Sequence, residues 1–296
     1  FLWHPFTQMQ QWREQDPLII EYGDGIHLID VHGNSYYDGV SSLWLSVHGH
    51  RVAAIDNAVR LQLDRIAHST MLGLTNVPAI ELAERLVQVT PEGLNKVFYS
   101  DSGSTAVEIG LKMAYQFWRN QGVKSRRSFI AMSGAYHGDT IGSVSVGGID
   151  LFHRTFHDLL FTVHRVPYPY PYRFDGDGDT CVQACLARLD RVIDEHDGGI
   201  AGLIVEPMVQ GAAGMIMMPD GFLSAVAERC READILLLLD EVATGFGRCG
   251  TWFACDHEQV SPDIMMTAKG MTGGYLPLAA TITTDRVYDA FLGTAD

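Results

Sequence analysis

The sequence predicts an α/β fold, with a mostly parallel sheet between two layers of helices. Short runs such as Ile235–Leu239 are apolar at every position, which is typical of parallel strands that are covered on both faces. Longer amphipathic stretches separate these runs, and Thr105–Trp118 has apolar residues at the i, i+3, i+4, i+7 spacing of one buried helix face. Strands that alternate with helices in this way favour a parallel sheet with helices on both sides.

The predicted elements follow one another along the whole chain. Near the start, Ile26–Asp30 and Ser35–Asp38 flank the turn His32-Gly33-Asn34, which predicts a β-hairpin. Later apolar runs predict strands at Lys96–Tyr99, Phe129–Met132, Leu160–Val163, Gly202–Val205, Ile235–Leu239, Ile264–Thr267 and Ala279–Thr283. Amphipathic stretches predict helices at Ala53–Ile66, Ala79–Val89, Thr105–Trp118, Cys181–Glu195 and Phe222–Ala233. The stretch Pro167–Thr180 is rich in proline, glycine and aspartate and predicts a surface loop.

Composition indicates a soluble enzyme and excludes several other classes of protein. The 296 residues carry a formal net charge of −15, which argues against nucleic acid and anionic membrane surfaces as partners. No apolar run approaches the ~18 residues of a membrane helix, and the N-terminus has no signal-peptide pattern. The five cysteines form no CxxC pair, so we expect reduced thiols in a cytoplasmic protein. His48 and His50 have no third ligand nearby in sequence, and no metal site is expected.

Two apolar runs lead into residues of opposite charge. Ile264–Thr267 is followed by Ala268 and Lys269, and Ile235–Leu239 is followed directly by Asp240. A lysine beside apolar residues is partly desolvated, which favours the neutral, nucleophilic amine that Schiff-base chemistry requires. A carboxylate at a neighbouring strand end is the partner that a pyridinium nitrogen needs. The pair indicates pyridoxal phosphate (PLP) chemistry, with an ordinary ion pair at the rim of the sheet as the alternative.

Two more strand ends carry residues that suit the same cofactor, and ligands of such sheets collect at the carboxyl ends of the strands. The segment Ser100–Thr105 opens a predicted helix, and its small residues present N–H and hydroxyl groups to an anion. Plain N-capping by Ser102 or Ser104 is the alternative. Tyr136 and His137 follow another predicted strand. The Tyr136 ring could stack on a flat heterocycle or could simply be packed in the core.

The chain resembles the class III, fold-type I PLP-dependent aminotransferases over essentially its whole length. The motifs that carry this resemblance are Ser102-Gly103-Ser104, Tyr136-His137-Gly138, Asp240–Arg248 and Lys269-Gly270. Four further motifs resemble the branch of the family that aminates 8-amino-7-oxononanoate in biotin biosynthesis. These motifs are Trp3–Thr7, Ser41–Trp44, His48–His50 and His68–Thr70.

The resemblance implies a role for each residue at the strand ends. Lys269 would bind PLP as a Schiff base and later move a proton between the substrate carbon and the cofactor. Asp240 would pair with the pyridine nitrogen and keep it protonated. Tyr136 would stack on the ring, while the N–H of Gly103 and the hydroxyl of Ser104 would hold the phosphate.

The resemblance also implies residues of the substrate pocket. Trp44 would line the pocket of the long apolar keto acid, with a buried core aromatic as the alternative, and Tyr136 would contribute to the same pocket. Many relatives have tyrosine where this chain has Phe6, which keeps the ring without the hydroxyl. The amino donor therefore stays open between S-adenosylmethionine and lysine. Glu206 is expected near the cofactor, without an assigned role.

Two other functions are compatible with the same motifs. An aminotransferase for ornithine, 4-aminobutyrate or a β-amino acid would keep Lys269 and Asp240 but would need a different pocket around Trp44. A remnant that binds PLP or a partner subunit without turnover is the second alternative, because the chain ends at Asp296, before two residues that the family uses. Those residues are a phosphate-binding threonine and an arginine that holds the substrate carboxylate.

The resemblance implies two domains and a homodimer. Residues 1–45 are expected to be the N-terminal segment of a small α+β domain, and residues 46–296 the PLP-binding large domain. We expect the C-terminal part of the small domain to be absent from this chain. Enzymes of this fold have their active sites at the dimer interface, and the same arrangement is expected here.

Overall fold

The structure, a computed structural model, describes residues 1–293. It contains two compact units, Phe1–Ser69 and the part of the chain from Thr70 onward. The domain division expected after residue 45 stays a prediction. Residues 294–296 of the expected large domain lie outside the described residues.

The first unit is built around a three-stranded antiparallel sheet. Its elements are helix α1 (Met9–Arg13), strands β1 (Ile20–Asp24), β2 (His27–Asp30) and β3 (Ser35–Tyr37), the left-handed turn α2 (Ser41–Trp44) and helix α3 (Ala53–Leu63). The predicted hairpin is confirmed as β2 and β3, which pair antiparallel from His27 and Tyr37 inward. Asp30 fixes the turn, because its carboxylate accepts the N–H groups of His32 and Asn34 at 2.9 and 2.8 Å.

The second unit contains a seven-stranded sheet with helices between its strands. Its elements are α4 (Val77–Val89), β4 (Leu94–Ser100), α5 (Gly103–Asn120), β5 (Ser128–Met132), α6 (Ile141–Val146), α7 (Asp150–His153), β6 (Val163–Val166), α8 (Gly178–Glu195), β7 (Ile200–Val205), β8 (Val209–Gln210), β9 (Ile216–Met217), α9 (Phe222–Glu232), β10 (Leu236–Asp240), β11 (Ile264–Thr267), β12 (Ala279–Thr284) and α10 (Asp285–Asp289). The strand order is β4-β12-β11-β10-β7-β5-β6. Only β12 runs antiparallel to its neighbours in this sheet, so the predicted mostly parallel sheet is confirmed.

Two apolar cores lie on opposite faces of this sheet. In β10, Leu237 and Leu239 belong to one core, together with residues of α8 and α9. Leu236 and Leu238 belong to the other core, together with residues of α5. Each buried leucine contributes about 1.5–3 kcal/mol relative to an exposed one. The three-layer arrangement thus explains why Ile235–Leu239 is apolar at every position.

The strand predicted at Leu160–Val163 is wrong in its position. Residues Arg154–Leu159 form a 3-10 helix, and the strand β6 begins only at Val163. The strand β6 has no continuous apolar run, because it contains the polar residues His164 and Arg165. They are tolerated because β6 is an edge strand and only partly buried.

The remaining differences concern short elements and helix starts. The predicted loop Pro167–Thr180 ends early, because the Asp177 carboxylate accepts the Thr180 N–H at 2.7 Å and α8 begins at Gly178. The elements without a predicted counterpart are α1, β1, α2, α6, α7, β8, β9 and α10. Each has six residues or fewer, which is too short for a periodic pattern.

No helix in the described part of the chain is long and apolar enough to cross a membrane.

Candidate active site

The sheet brings four sequence-predicted residues to one of its edges. Asp240 is the last residue of β10, and Lys269 follows β11, which is parallel to β10 and adjacent to it. Gly103 begins α5, the helix that follows β4, and Tyr136 follows β5. The strands β4 and β11 are both antiparallel to β12, so β4 points the same way as the others. All four residues therefore lie at the carboxyl ends of strands, where ligands of such sheets bind.

The carboxylate of Asp240 is held by two N–H donors. Its Oδ2 lies 2.6 Å from Nδ1 of His137, and its Oδ1 accepts the N–H of Val242 at 3.0 Å. Because an ionised carboxylate only accepts hydrogen bonds, Nδ1 of His137 carries the proton. Asp240 is 5% exposed and His137 is 3% exposed. The site therefore has a buried anion whose orientation is fixed.

Lys269 begins a short 3-10 helix, Lys269–Met271, just after β11. Its φ of +42° lies in the left-handed region, which costs free energy for a residue with a β-carbon. Burial lowers the pKa of the Lys269 amine, whereas the charges of Asp240 and Glu206 act to raise it. The net direction is downward, so a larger fraction of this amine is the neutral nucleophile than in water.

Ser102, and not Ser104, caps helix α5. The Ser102 hydroxyl accepts the N–H of Thr105 at 3.2 Å, and the Thr105 hydroxyl accepts the N–H of Ser102 at 3.0 Å. The N–H groups of Gly103 and Ser104 lie in the first turn, where a helix offers no acceptor of its own. This end of an 18-residue helix carries the positive end of the helix dipole, which suits a phosphate.

The start of α5 is packed closely against neighbouring segments of the chain. The Ser104 hydroxyl accepts the N–H of Asp139 at 3.2 Å. A β-carbon on Gly138 would lie 2.6 Å from that of Ser104, and Gly138 has a φ of +117°. A β-carbon on Gly103 would lie 2.7 Å from Cγ1 of Val242. Both positions therefore require glycine.

Tyr136 is half-buried and is held at its main chain and at its hydroxyl. Its N–H donates to Oε1 of Glu206 at 3.0 Å, and its hydroxyl donates to Oδ2 of Asp139 at 2.6 Å. The ring of Phe152 packs edge-on at 6.1 Å between centroids, and the ring of His153 is nearly parallel at 6.4 Å. Burial, with Asp139 adding to it, raises the pKa of the phenol. A neutral ring held in this way is suited to stack on a flat heterocycle.

Sequence reasoning left two buried residues of the site without a role. His137 contacts Asp240 across 103 residues of chain, and Glu206 contacts Tyr136 across 70. Glu206 is 6% exposed, and burial raises its pKa to about 7, with Asp240 adding to the shift and His137 opposing it. The only sequence signals are a histidine after one apolar run and an acid after another. Neither signal names the distant partner.

Phe6 and Trp44 belong to the first unit. Phe6 is 71% exposed with a φ of +49°, and half-buried Trp44 ends the turn α2 with a φ of +70°. Their assignment to a substrate pocket stays a prediction. In the same unit, Nε2 of His50 lies 2.9 Å from the carboxylate of Asp38. Within residues 1–293, no three His, Cys, Asp or Glu side chains are grouped as metal ligands would be.

The polar groups of the site fit a phosphorylated pyridine aldehyde. Asp240 offers a fixed anion to a ring N–H group. The first turn of α5, with the hydroxyl of Ser104, offers N–H and O–H groups to a phosphate. Lys269 offers an amine with a lowered pKa to an aldehyde carbon. Each of these groups is of the chemical type that PLP requires.

A three-layer α/β fold with a lysine and a carboxylate at adjacent strand ends defines the class of fold-type I transaminases. The chain belongs to the aminotransferase class III family, whose family model matches residues 8–295. It is 55% identical to adenosylmethionine-8-amino-7-oxononanoate aminotransferase of Geobacter sulfurreducens over 295 residues, which cover 99% of this chain and 65% of the relative. This chain thus spans just under two thirds of the length of that curated relative.

Solved structures give the same result. The crystal structure of adenosylmethionine-8-amino-7-oxononanoate aminotransferase from Methanocaldococcus jannaschii matches with a TM-score of 0.92 at 48% identity, over 99% of this chain and 66% of that one. The (S)-enantioselective omega-transaminase from Thermomicrobium roseum matches with a TM-score of 0.94 at 35% identity, over 99% of this chain and 66% of that one. The expected fold-type I architecture is therefore confirmed.

Proposed function

We propose that the complete protein is a PLP-dependent aminotransferase that converts 8-amino-7-oxononanoate into 7,8-diaminononanoate in biotin biosynthesis. S-adenosylmethionine is the proposed amino donor. The names of the relatives from Geobacter and Methanocaldococcus, at 55% and 48% identity, support both substrates. Since the chain spans 65% of the Geobacter relative, the proposal concerns the whole protein.

One observation carries the catalytic part of the proposal. The Asp240 carboxylate is buried, bonded to His137, and placed at the end of the strand beside the one that leads to Lys269. An ordinary ion pair at the rim of a sheet needs neither this burial nor the N–H donors. A buried anion with fixed orientation, beside a lysine of lowered pKa, is the pair that PLP chemistry uses.

The chain's own residues would carry out the proton and binding steps. When bound, PLP supplies an aldehyde that condenses with amines and a ring that accepts an electron pair from the substrate carbon. Asp240 would hold a proton on the ring nitrogen, and the N–H groups of His137 and Val242 keep its two oxygens in place for that task. The Lys269 amine would hold the aldehyde carbon covalently, with the aldehyde oxygen leaving as water. In its free form, the same amine would take a proton from the substrate carbon.

The other residues of the site would bind and orient. The first-turn N–H groups of α5 at Gly103 and Ser104, with the Ser104 hydroxyl, would hold the phosphate. Tyr136 would stack on the ring and contact the substrate, and its neutral phenol adds no charge to compete with the carboxylates. Trp44 and Phe6 are proposed for the substrate pocket. Because Phe6 lacks a hydroxyl, lysine is kept as the second candidate donor.

We further propose a cytoplasmic homodimer with active sites at the interface, without nucleic acid or membrane partners. The net charge of −15 and the family's fold support this assignment. Sedimentation of the full-length protein tests it, and a monomer that is active would contradict it.

The experiment that tests the function is a half-reaction screen with full-length protein. Spectroscopic changes of the bound cofactor would be followed with 7,8-diaminononanoate, S-adenosylmethionine, lysine, ornithine and 4-aminobutyrate in turn. We expect a response to 7,8-diaminononanoate and to either S-adenosylmethionine or lysine. The likeness to the Thermomicrobium omega-transaminase makes another ω-amine the second candidate substrate. A response to ornithine or 4-aminobutyrate alone would favour it.

A further inference from the structure

One buried carboxylate ties together two segments of the site that are distant in sequence. Oε1 of Glu206 accepts the N–H of Tyr136 at 3.0 Å, and Oε2 accepts the N–H of Gly211 at 3.1 Å. Tyr136 lies in the segment after β5, and Gly211 follows β8. Glu206 itself follows β7, the strand next to β5. Both oxygens are thus used by main-chain donors from different segments.

Burial of the Glu206 carboxylate costs free energy. Glu206 is 6% exposed, and burial raises its pKa to about 7. A buried ionised carboxylate costs several kcal/mol unless hydrogen bonds compensate for the lost hydration. Here the compensation comes from main-chain N–H groups, so the side chain fixes backbone and not another side chain. The charges of Glu206 and Asp240 both act on Lys269.

The main chain of Tyr136 is the point at which this contact bears on the reaction. The Tyr136 hydroxyl is bonded to Asp139, and its ring packs against Phe152. Those contacts set the far end and one side of the ring. The hydrogen bond to Glu206 positions the main chain of Tyr136. The next residue is His137, whose imidazole is bonded to Asp240. A shift of this segment would therefore move the stacking ring and the support of Asp240 together.

We propose that Glu206 is a positioning residue, which clamps the main chain at Tyr136 and Gly211 and thereby sets the ring of Tyr136 and the imidazole of His137 for the cofactor. The assignment rests on the proposed PLP function. The clamp itself is a property of the protein without cofactor. The two parts are therefore measured separately.

The first measurement is amide hydrogen exchange in full-length, cofactor-free protein. Glu206→Gln keeps the shape, but its NH2 group faces one of the two N–H donors. We expect exchange at Tyr136 or Gly211 to become faster on the order of 10-fold, while the strand amides of β7 and β10 keep their protection. Glu241→Gln is the matched control. Glu241 is also buried, but its carboxylate accepts the N–H of Cys255 at 2.9 Å and, among the described residues, has no hydrogen bond to Tyr136.

The second measurement uses the cofactor-loaded enzyme. Glu206→Gln leaves Lys269 and Asp240 in place, so we expect full cofactor content. A displaced stacking ring should change the visible circular dichroism of the cofactor and slow both half-reactions on the order of 10-fold, with little change in substrate KM. A carboxyl group that only stabilised the fold would leave the dichroism unchanged.

The outcomes separate the clamp from the proposed function. Wild-type exchange at both amides in Glu206→Gln, or altered exchange with unchanged dichroism and rates, would overturn the positioning role. If Glu206→Gln loosens the whole sheet, Glu206→Asp decides, because it keeps the charge but cannot reach both donors; wild-type exchange and dichroism there would overturn the proposal. A protein that takes up no PLP would refute the proposed function, and with it the positioning role, while the exchange measurement would still report whether the clamp exists.

Discussion

Nδ1 of His137 lies 2.6 Å from Oδ2 of Asp240, and both side chains are buried. The contact joins the segment after β5 to the end of β10, and β7 lies between these two strands in the sheet. The position of the Asp240 carboxylate therefore depends on the segment that carries Tyr136. A substitution at His137 should therefore shift the Asp240 carboxylate, the proposed partner of the cofactor's ring nitrogen, while residue 240 stays aspartate.

Lys269→Ala should abolish the covalent link to the cofactor. We expect full-length variant protein to lose the visible absorbance of the lysine-linked cofactor, and borohydride should no longer fix the cofactor to the chain. Multiple turnover should be lost with it. Lys124→Ala, which removes an exposed lysine, is the control and should behave as wild type. Normal transamination by Lys269→Ala would refute the assignment.

Asp240→Asn should keep the shape of the side chain and remove its charge. The ring nitrogen would then lose the anion that keeps it protonated, and we expect a loss on the order of 10²-fold in rate. Both half-reactions should slow alike, because both develop charge on the same ring. Single-turnover kinetics with each substrate measures this. A variant slowed in only one half-reaction would make Asp240 a substrate contact.

His137→Phe should act through Asp240. The substitution keeps a ring but removes the N–H donor of a charge-assisted bond, so we expect both half-reactions to slow by about 10-fold. In the double variant with Asp240→Asn, the two losses should not multiply. Multiplied losses in this double-mutant cycle would show that His137 acts by another route.

Gly138→Ala should destabilise the protein through Ser104. The new β-carbon would lie 2.6 Å from that of Ser104, at a φ of +117°. We expect the free energy of unfolding to fall by about 2–4 kcal/mol, measured with denaturant. Gly250→Ala is the matched control, since it has a φ of +98° and open space, and it should cost about 1 kcal/mol. If both variants lost the same unfolding free energy, backbone strain alone would explain the effect and the contact with Ser104 would not contribute.

Glu206 should give the stability of the cofactor-free protein a characteristic pH dependence. Its pKa of about 7 in the folded protein lies above the ordinary 4.5, so the folded state binds the proton more tightly than the unfolded state. The resulting stabilisation is full below pH 4.5 and is lost as the pH rises through 7, by up to about 3 kcal/mol. Glu206→Gln should lack this loss. Denaturant unfolding of wild type and Glu206→Gln at pH 5 and pH 8 checks this prediction. It would be contradicted if the two proteins differed in unfolding free energy by the same amount at both pH values.

The sequence by itself determined the layers of the large unit and the strand ends that carry chemistry. An apolar residue at every position of Ile235–Leu239 already requires cover on both faces of the strand, and the two cores supply it. Because side chains at the carboxyl ends of parallel strands converge, Asp240, Lys269 and Gly103 could be placed at one edge without coordinates. The edge strand β6 was misplaced, because its polar residues break the apolar pattern.

Only the tertiary structure decided which side chains meet at that edge. The partner of Asp240 is His137, and the partner of Tyr136 is Glu206, at separations of 103 and 70 residues. The structure also assigned the helix cap to Ser102, which leaves the Ser104 hydroxyl to meet the N–H of Asp139. Local patterns report propensity and periodicity along the chain. Hydrogen bonds between loops depend on sheet order and register, and those are set by the packing of the whole unit.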